Sequence, residues 1–200
     1  AIFVDDLISD FNRVELENGA IAKLAQADLS SRPKVKIADY RIGSPVARPT
    51  KVICVGLNYA KHAVESGMTP PPEPVIFMKA PDTVIGPNDE IVVPPNSLKT
   101  DYEVELCLVT LKPLSAKASA KGGLILCNDV TDRAALLRGA DINDVASGKG
   151  FTDGKSGAGF LPVGDLFVVP RNIKSFVEPL ELHLSVNGEQ RQRARVTNWI

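Results

Sequence analysis

Glu103 and Glu105 stand on either side of Val104 in the stretch TDYEVEL (100–106), which is otherwise patterned as a buried strand. Strand side chains alternate between faces, so the two carboxylates point the same way, roughly 7 Å apart. A half-exposed strand with both glutamates in water would satisfy that spacing. The rest of the run argues for cover. Cys107 and Val109 continue the glutamate face, and Val104, Leu106 and Leu108 fill the other. A strand apolar on both faces is covered on both. Two shielded carboxylates repel each other, and a divalent cation is the simplest group that satisfies both. A third oxygen donor, Asp129, follows the apolar run LILC (124–127). It could cap the next turn or complete a three-carboxylate site. An all-oxygen set without clustered His or Cys suits Mg2+, Mn2+ or Ca2+ rather than zinc. Three protein ligands on an octahedral ion leave three positions for water or substrate, as a catalytic centre needs.

The chain has two histidines. His183 lies in LELHLSV, on the face opposite Leu182, Leu184 and Val186, and reads as a surface residue. His62 lies in GLNYAKHAVESG (56–67), which reads as a short helix after a strand. Glu65 is three residues on, so the two share a helix face. A carboxylate partner orients an imidazole and raises its basicity; a plain surface pair has the same spacing.

These side chains must be held by strands. KVICVG (51–56), PVIFMK (74–79), EIVVP (90–94), EVELCLV (103–109), GGLILC (122–127), DLFVVP (165–170) and LELHLSV (180–186) all read as strands. Asn187-Gly188 marks a tight hairpin turn after the last. Residues 1–49 mix a short helical pattern (19–29) with prolines and read as a small N-terminal subdomain, leaving 50–200 as the larger domain. LSAKASAKGG (114–123) reads as a loop. The expected fold is α+β and mostly β.

Bulk composition limits the function. Of 200 residues, 44% are hydrophobic and 24% charged, with net charge −1, so no basic footprint points to nucleic acid or an anionic membrane. No apolar run reaches a membrane span, and no signal-peptide pattern opens the sequence. The three cysteines, Cys54, Cys107 and Cys127, all sit in apolar runs without a C-x-x-C. They read as buried thiols in a reducing compartment, with the cytoplasm as the expected location.

The ordered set GLNYAKHAVESG, PVIFMKA, TDYEVEL, CNDVTDR and GKSGAGFLPVG resembles the fumarylacetoacetate hydrolase (FAH) family, its bacterial, acylpyruvase-like branch most of all. The resemblance spans about 51–186. It implies a mixed β-roll with a small N-terminal subdomain, a homodimer, and Mg2+ or Mn2+ held by Glu103, Glu105 and Asp129. It assigns water activation to His62 and Glu65, a substrate-contacting or orienting role to Lys155, and a family lysine position to Lys79. The implied reaction is hydrolysis of a carbon–carbon bond in a 2,4-dioxo, acylpyruvate-like acid. The metal would chelate the 2-oxo acid and stabilise the departing enolate. Decarboxylation, isomerisation or hydration of a 2-oxo diacid needs much the same scaffold. A catalytically silent metal-binding homologue is the reading from another class, and retention of His62 and Glu65 speaks against it.

Three departures stand out. Leu136 occupies the place of a substrate-contacting Gln, seven residues after Asp129. Leu111 replaces a usual glycine in a shortened 110–123 stretch. The sequence ends at RVTNWI, where the resemblance implies a further helix and a Thr-Gly-rich loop. A phosphate loop at GKGFTDGKS is excluded because Lys149 stands where its first glycine belongs.

Overall fold

The computed structural model describes residues 36–39, 41–46, 49–59, 73–110, 122–139 and 147–198. His62, Glu65, the helical pattern at 19–29 and most of the 114–123 loop lie outside these residues.

Two antiparallel strand pairs carry the site. β1 (Val52–Gly56) pairs with β2 (Val75–Lys79), Val52 opposite Lys79. Burial alternates strictly along β2. Val75, Phe77 and Lys79 face inward, and Ile76 and Met78 face out. Between β2 and the second pair lie a 3-10 turn (Pro81–Thr83), β3 (Val84–Ile85) and β4 (Thr100–Asp101). β5 (Val104–Thr110) pairs with β6 (Gly122–Asn128) so that Val104 faces Asn128 and Glu105 faces Cys127. β7 (Thr131–Asp132) pairs with β4 and leads directly into α1 (Arg133–Gly139). α2 (Phe151–Lys155) and β8 (Leu161–Pro162) follow, β8 running parallel to β3. α3 (Ile173–Val177) is capped by the side chain of Asn172, which accepts from Ser175 N–H. β9 (Glu181–Val186) and β10 (Glu189–Arg195) form the expected hairpin. Asn187 and Gly188 both take positive φ, 52° and 81°, as a type I′ turn requires.

The β5–β6 pair separates two apolar clusters. Val104, Leu106 and Leu124 pack with Val177, Leu182 and Val196. Cys107, Val109, Ile125 and Cys127 pack with Leu161, Val163 and Phe167 on the other side. Gly123 is required here, because a Cβ would stand 2.3 Å from the Phe167 ring. A third cluster, Phe77, Leu136 and Phe151, joins β2 to both helices. Before β1, Arg41 donates to both oxygens of Asp89, and Gly86 N–H reaches the same carboxylate.

Four expectations are corrected. EIVVP (90–94) is not a strand; Val92 and Val93 are exposed instead of paired. DLFVVP (165–170) is not one either. It makes a single bridge, Val168 to Leu124, while Val163 bridges Cys127. Three steps along β6 thus meet five along the partner, and the ladder breaks. Cover of β5 and β6 is incomplete among the described residues, since Leu108 and Leu126 are 53% and 47% exposed. Cys107 and Cys127 are joined in a disulfide. Cys107 lies opposite Ile125, two residues from Cys127 on the same face, a proximity that only the pairing register reveals. Cys54 is a free thiol, as expected. Burial first, then the charges of Asp129 and Glu105, push it up to about 12. Among the described residues no helix is long and apolar enough to cross a membrane.

Candidate metal centre

Four strand and helix ends converge. The start of β5 supplies Glu103 and Glu105, the end of β6 supplies Asp129, the end of β2 supplies Lys79, and α2 ends on Lys155. Carboxylate oxygens of Glu103, Glu105 and Asp129 all lie within 4.8 Å of one another. The turn after β6 fixes them through the backbone. Asn128 Oδ1 accepts from Glu103 N–H at 2.9 Å, and Asp129 N–H donates to Glu103 O at 2.8 Å. The Asn-Asp pair therefore locks the two strand ends together while presenting a carboxylate. Capping of the following helix falls to Asp132, whose Oδ1 accepts from Ala134 and Ala135 N–H. Gln192 of β10 accepts from Val104 N–H at 2.8 Å and steadies the residue between the two glutamates.

Lys79 is fully buried, and its Nζ donates to Asp129 Oδ1 at 2.6 Å and to Val130 O at 3.2 Å. It lies under the aspartate, holding it. Lys155, 3% exposed, donates to Glu103 Oε2 and Asp129 Oδ2, each at 2.6 Å. Its Nζ also stands 5.4 Å from the centre of the Phe77 ring. Ala80 N–H donates to Ser156 Oγ, tying the residue after one lysine to the residue after the other. Burial pulls the Lys155 ammonium down, but Glu103 and Asp129 outweigh it and hold it above the usual lysine range. At Lys79 burial outweighs Asp129 and lowers it.

Two further members were not singled out from the sequence. Arg133, the first residue of α1, donates from Nη2 to Glu103 Oε1 at 2.6 Å and from Nε to Asp101 Oδ2 at 2.9 Å. Both residues sit inside the quoted motifs CNDVTDR and TDYEVEL, and that placement was the available signal.

Glu105 differs from its neighbours. No described cation pairs with it, and burial first, then the charges of Asp129 and Glu103, push its carboxyl up to about 8. A half-buried acid facing two carboxylates, with no cation paired to it among the described residues, fits a divalent ion, and the all-oxygen donors fit a hard one. Tyr59 is raised by burial and by the charge of Glu105.

Leu136 is 7% exposed and packs on Phe77 and Phe151. It belongs to the core under α2, which accounts for an apolar residue at that position. Gly154 makes this packing work: an added Cβ would sit 2.5 Å from Leu136 Cβ and 2.8 Å from its backbone. Gly154→Ala is therefore expected to push α2 off α1, destabilise the protein by about 1–3 kcal/mol, and displace Lys155. Thermal unfolding checks this, and an unchanged midpoint would show that the helices part without strain.

A mostly-β scaffold that gathers three carboxylates at strand ends over two buried lysines defines an acid-lined enzyme fold of the FAH type. The chain belongs to the fumarylacetoacetate hydrolase family: the model of the fumarylacetoacetate (FAA) hydrolase C-terminal region matches residues 51–200. A 2,4-didehydro-3-deoxy-L-rhamnonate hydrolase of Sphingomonas sp. (strain SKA58) is 37% identical, matching 100% of this chain and 69% of its own length. The mitochondrial oxaloacetate tautomerase FAHD2A of Homo sapiens is 32% identical over 92% of this chain and 59% of its own. A crystal structure of 5-carboxymethyl-2-hydroxymuconate delta-isomerase from Mycobacterium smegmatis superposes with TM-score 0.64 at 30% identity, covering 84% of this chain and 64% of that one. The chain thus spans between about three fifths and seven tenths of these relatives' lengths.

Proposed function

We propose that this chain forms the centre of a divalent-metal enzyme that hydrolyses a carbon–carbon bond in a 2,4-dioxo acid, with Mg2+ or Mn2+ as the ion. The observation that supports it most is the three-carboxylate cluster whose member Glu105 forms no ion pair with any described cation. Glu103, Glu105 and Asp129 would hold the ion, which when bound supplies a Lewis acid for the oxygens of a 2-oxo acid. Lys79, wholly enclosed, holds the Asp129 carboxylate in place. Lys155 offsets negative charge arriving with the substrate. His62, oriented by Glu65, takes a proton from the attacking water. The hydroxide would add to the distal carbonyl, the bond from that carbon to its neighbour would break, and the electron pair would leave with the 2-oxo acid as its enolate, which then takes up the proton held by His62.

A second reading is isomerisation or tautomerisation of a 2-oxo diacid, favoured by the isomerase and the tautomerase among the relatives. It needs proton transfers without an attacking water. Turnover of acylpyruvates, fumarylpyruvate, oxaloacetate and a 2-oxo-3-ene diacid, each with Mg2+, Mn2+ or EDTA, separates the two. Hydrolysis predicts metal-dependent cleavage of a dioxo acid that falls by about 100-fold or more in His62→Ala. Tautomerisation of oxaloacetate that survives His62→Ala would replace the first reading by the second.

A further inference from the structure

We propose that Asp101 is a positioning residue for the carboxylate of Glu103 and acts through Arg133; this rests on the metal reading above. Each link is a directed hydrogen bond. Asp101 Oδ1 accepts from Tyr102 N–H at 2.9 Å, which fixes the carboxylate plane. Its Oδ2 accepts from Arg133 Nε at 2.9 Å. Arg133 N–H donates to Lys99 O at 2.8 Å, so the backbone of this arginine is fixed as well. A guanidinium is planar and rigid, so anchoring Nε sets the direction of Nη2. Nη2 meets Glu103 Oε1 at 2.6 Å. Glu103 is thereby prevented from rotating about its terminal bond, and Oε2 is the oxygen turned toward Asp129 through the shared Lys155 ammonium. β4, the strand that carries Asp101, pairs with β7, which runs into the helix that carries Arg133. The two anchors are therefore part of one rigid unit.

The test is Mn2+ binding to the full chain followed by electron paramagnetic resonance, a readout separate from turnover. Asp101→Asn and Arg133→Lys are each expected to weaken Mn2+ binding roughly 10–100-fold and to broaden the bound-ion spectrum, with metal-free circular dichroism unchanged. The double variant is expected to bind no more weakly than the worse single, because both changes break the same chain of contacts. Additive losses in the double, or wild-type affinity in Arg133→Lys, overturn the relay; the lysine variant decides if Asp101→Asn fails to fold. Glu105→Gln tests the metal reading separately. If it binds Mn2+ as the wild type does, that reading falls and takes the relay with it. If it loses Mn2+ while Asp101→Asn and Arg133→Lys do not, the relay alone falls.

Discussion

Asp129→Ala is expected to destabilise the metal-free protein by about 3–5 kcal/mol, the range for removing one partner of a buried ion pair. Asp129 is 1% exposed and takes one ammonium on each oxygen. Without it Lys155 keeps Glu103, but Lys79 keeps only the carbonyl of Val130. An ammonium with no exposure and no counter-charge is costly to keep in the fold. Urea unfolding in EDTA measures the loss. The double variant Asp129→Asn with Lys79→Met separates the cause, since removing the stranded charge should recover much of it. A loss below about 1 kcal/mol would mean that Lys79 sheds its proton or finds water, and the lysine-under-aspartate account would fail.

Glu105→Gln is expected to do the opposite: abolish metal uptake while leaving the metal-free fold intact. At neutral pH the Glu105 carboxyl of the metal-free protein holds its proton, being raised from 4.5 to about 8. Glutamine is close in shape to that neutral acid. The sign of the pH effect follows directly. Between 4.5 and about 8 the folded state binds a proton that the unfolded chain has released, so stability falls as pH rises through that window. Glu105→Gln should flatten this slope. A metal needs the ionised carboxylate, so Mn2+ affinity in the wild type should weaken by about tenfold for each pH unit below the raised value, one proton leaving per ion bound. Affinity that is flat with pH, or a Glu105→Gln protein that still binds Mn2+, would rule out this role.

The sequence disclosed the parts whose geometry is local. β1, β2, β5 and β6 were readable as short apolar runs and β9 by its alternation, over five to seven residues each, and Asn187-Gly188 because its dihedrals favour those residues. The two glutamates followed from period-two geometry alone. What stayed hidden depended on pairing register. Val92 and Val93 look like strand residues, yet no described strand pairs with them. Cys107 and Cys127 are twenty residues apart, and only the register of β5 on β6 brings them together. Arg133 sits beside a quoted aspartate, but its reach to both Asp101 and Glu103 depends on where α1 begins. Leu136 was legible as a departure, and its meaning came from the ring pair Phe77–Phe151 beneath it, 5.1 Å between centroids.

The bonds that assemble the centre join residues far apart in the chain. Lys79 and Asp129 are 50 residues apart, Lys155 and Glu103 are 52, and Arg133 and Asp101 are 32. During synthesis the acids therefore leave the ribosome well before the last of their counter-charges. Until α2 emerges, Asp129 has Lys79 and Glu103 has Arg133, but the ammonium that bridges the two acids is still missing. Non-local contacts of this kind close late and slowly. Lys155 is then the final clasp, and an ion captured afterwards would hold the fold shut by mass action, so retention of the ion would report that folding had run to completion.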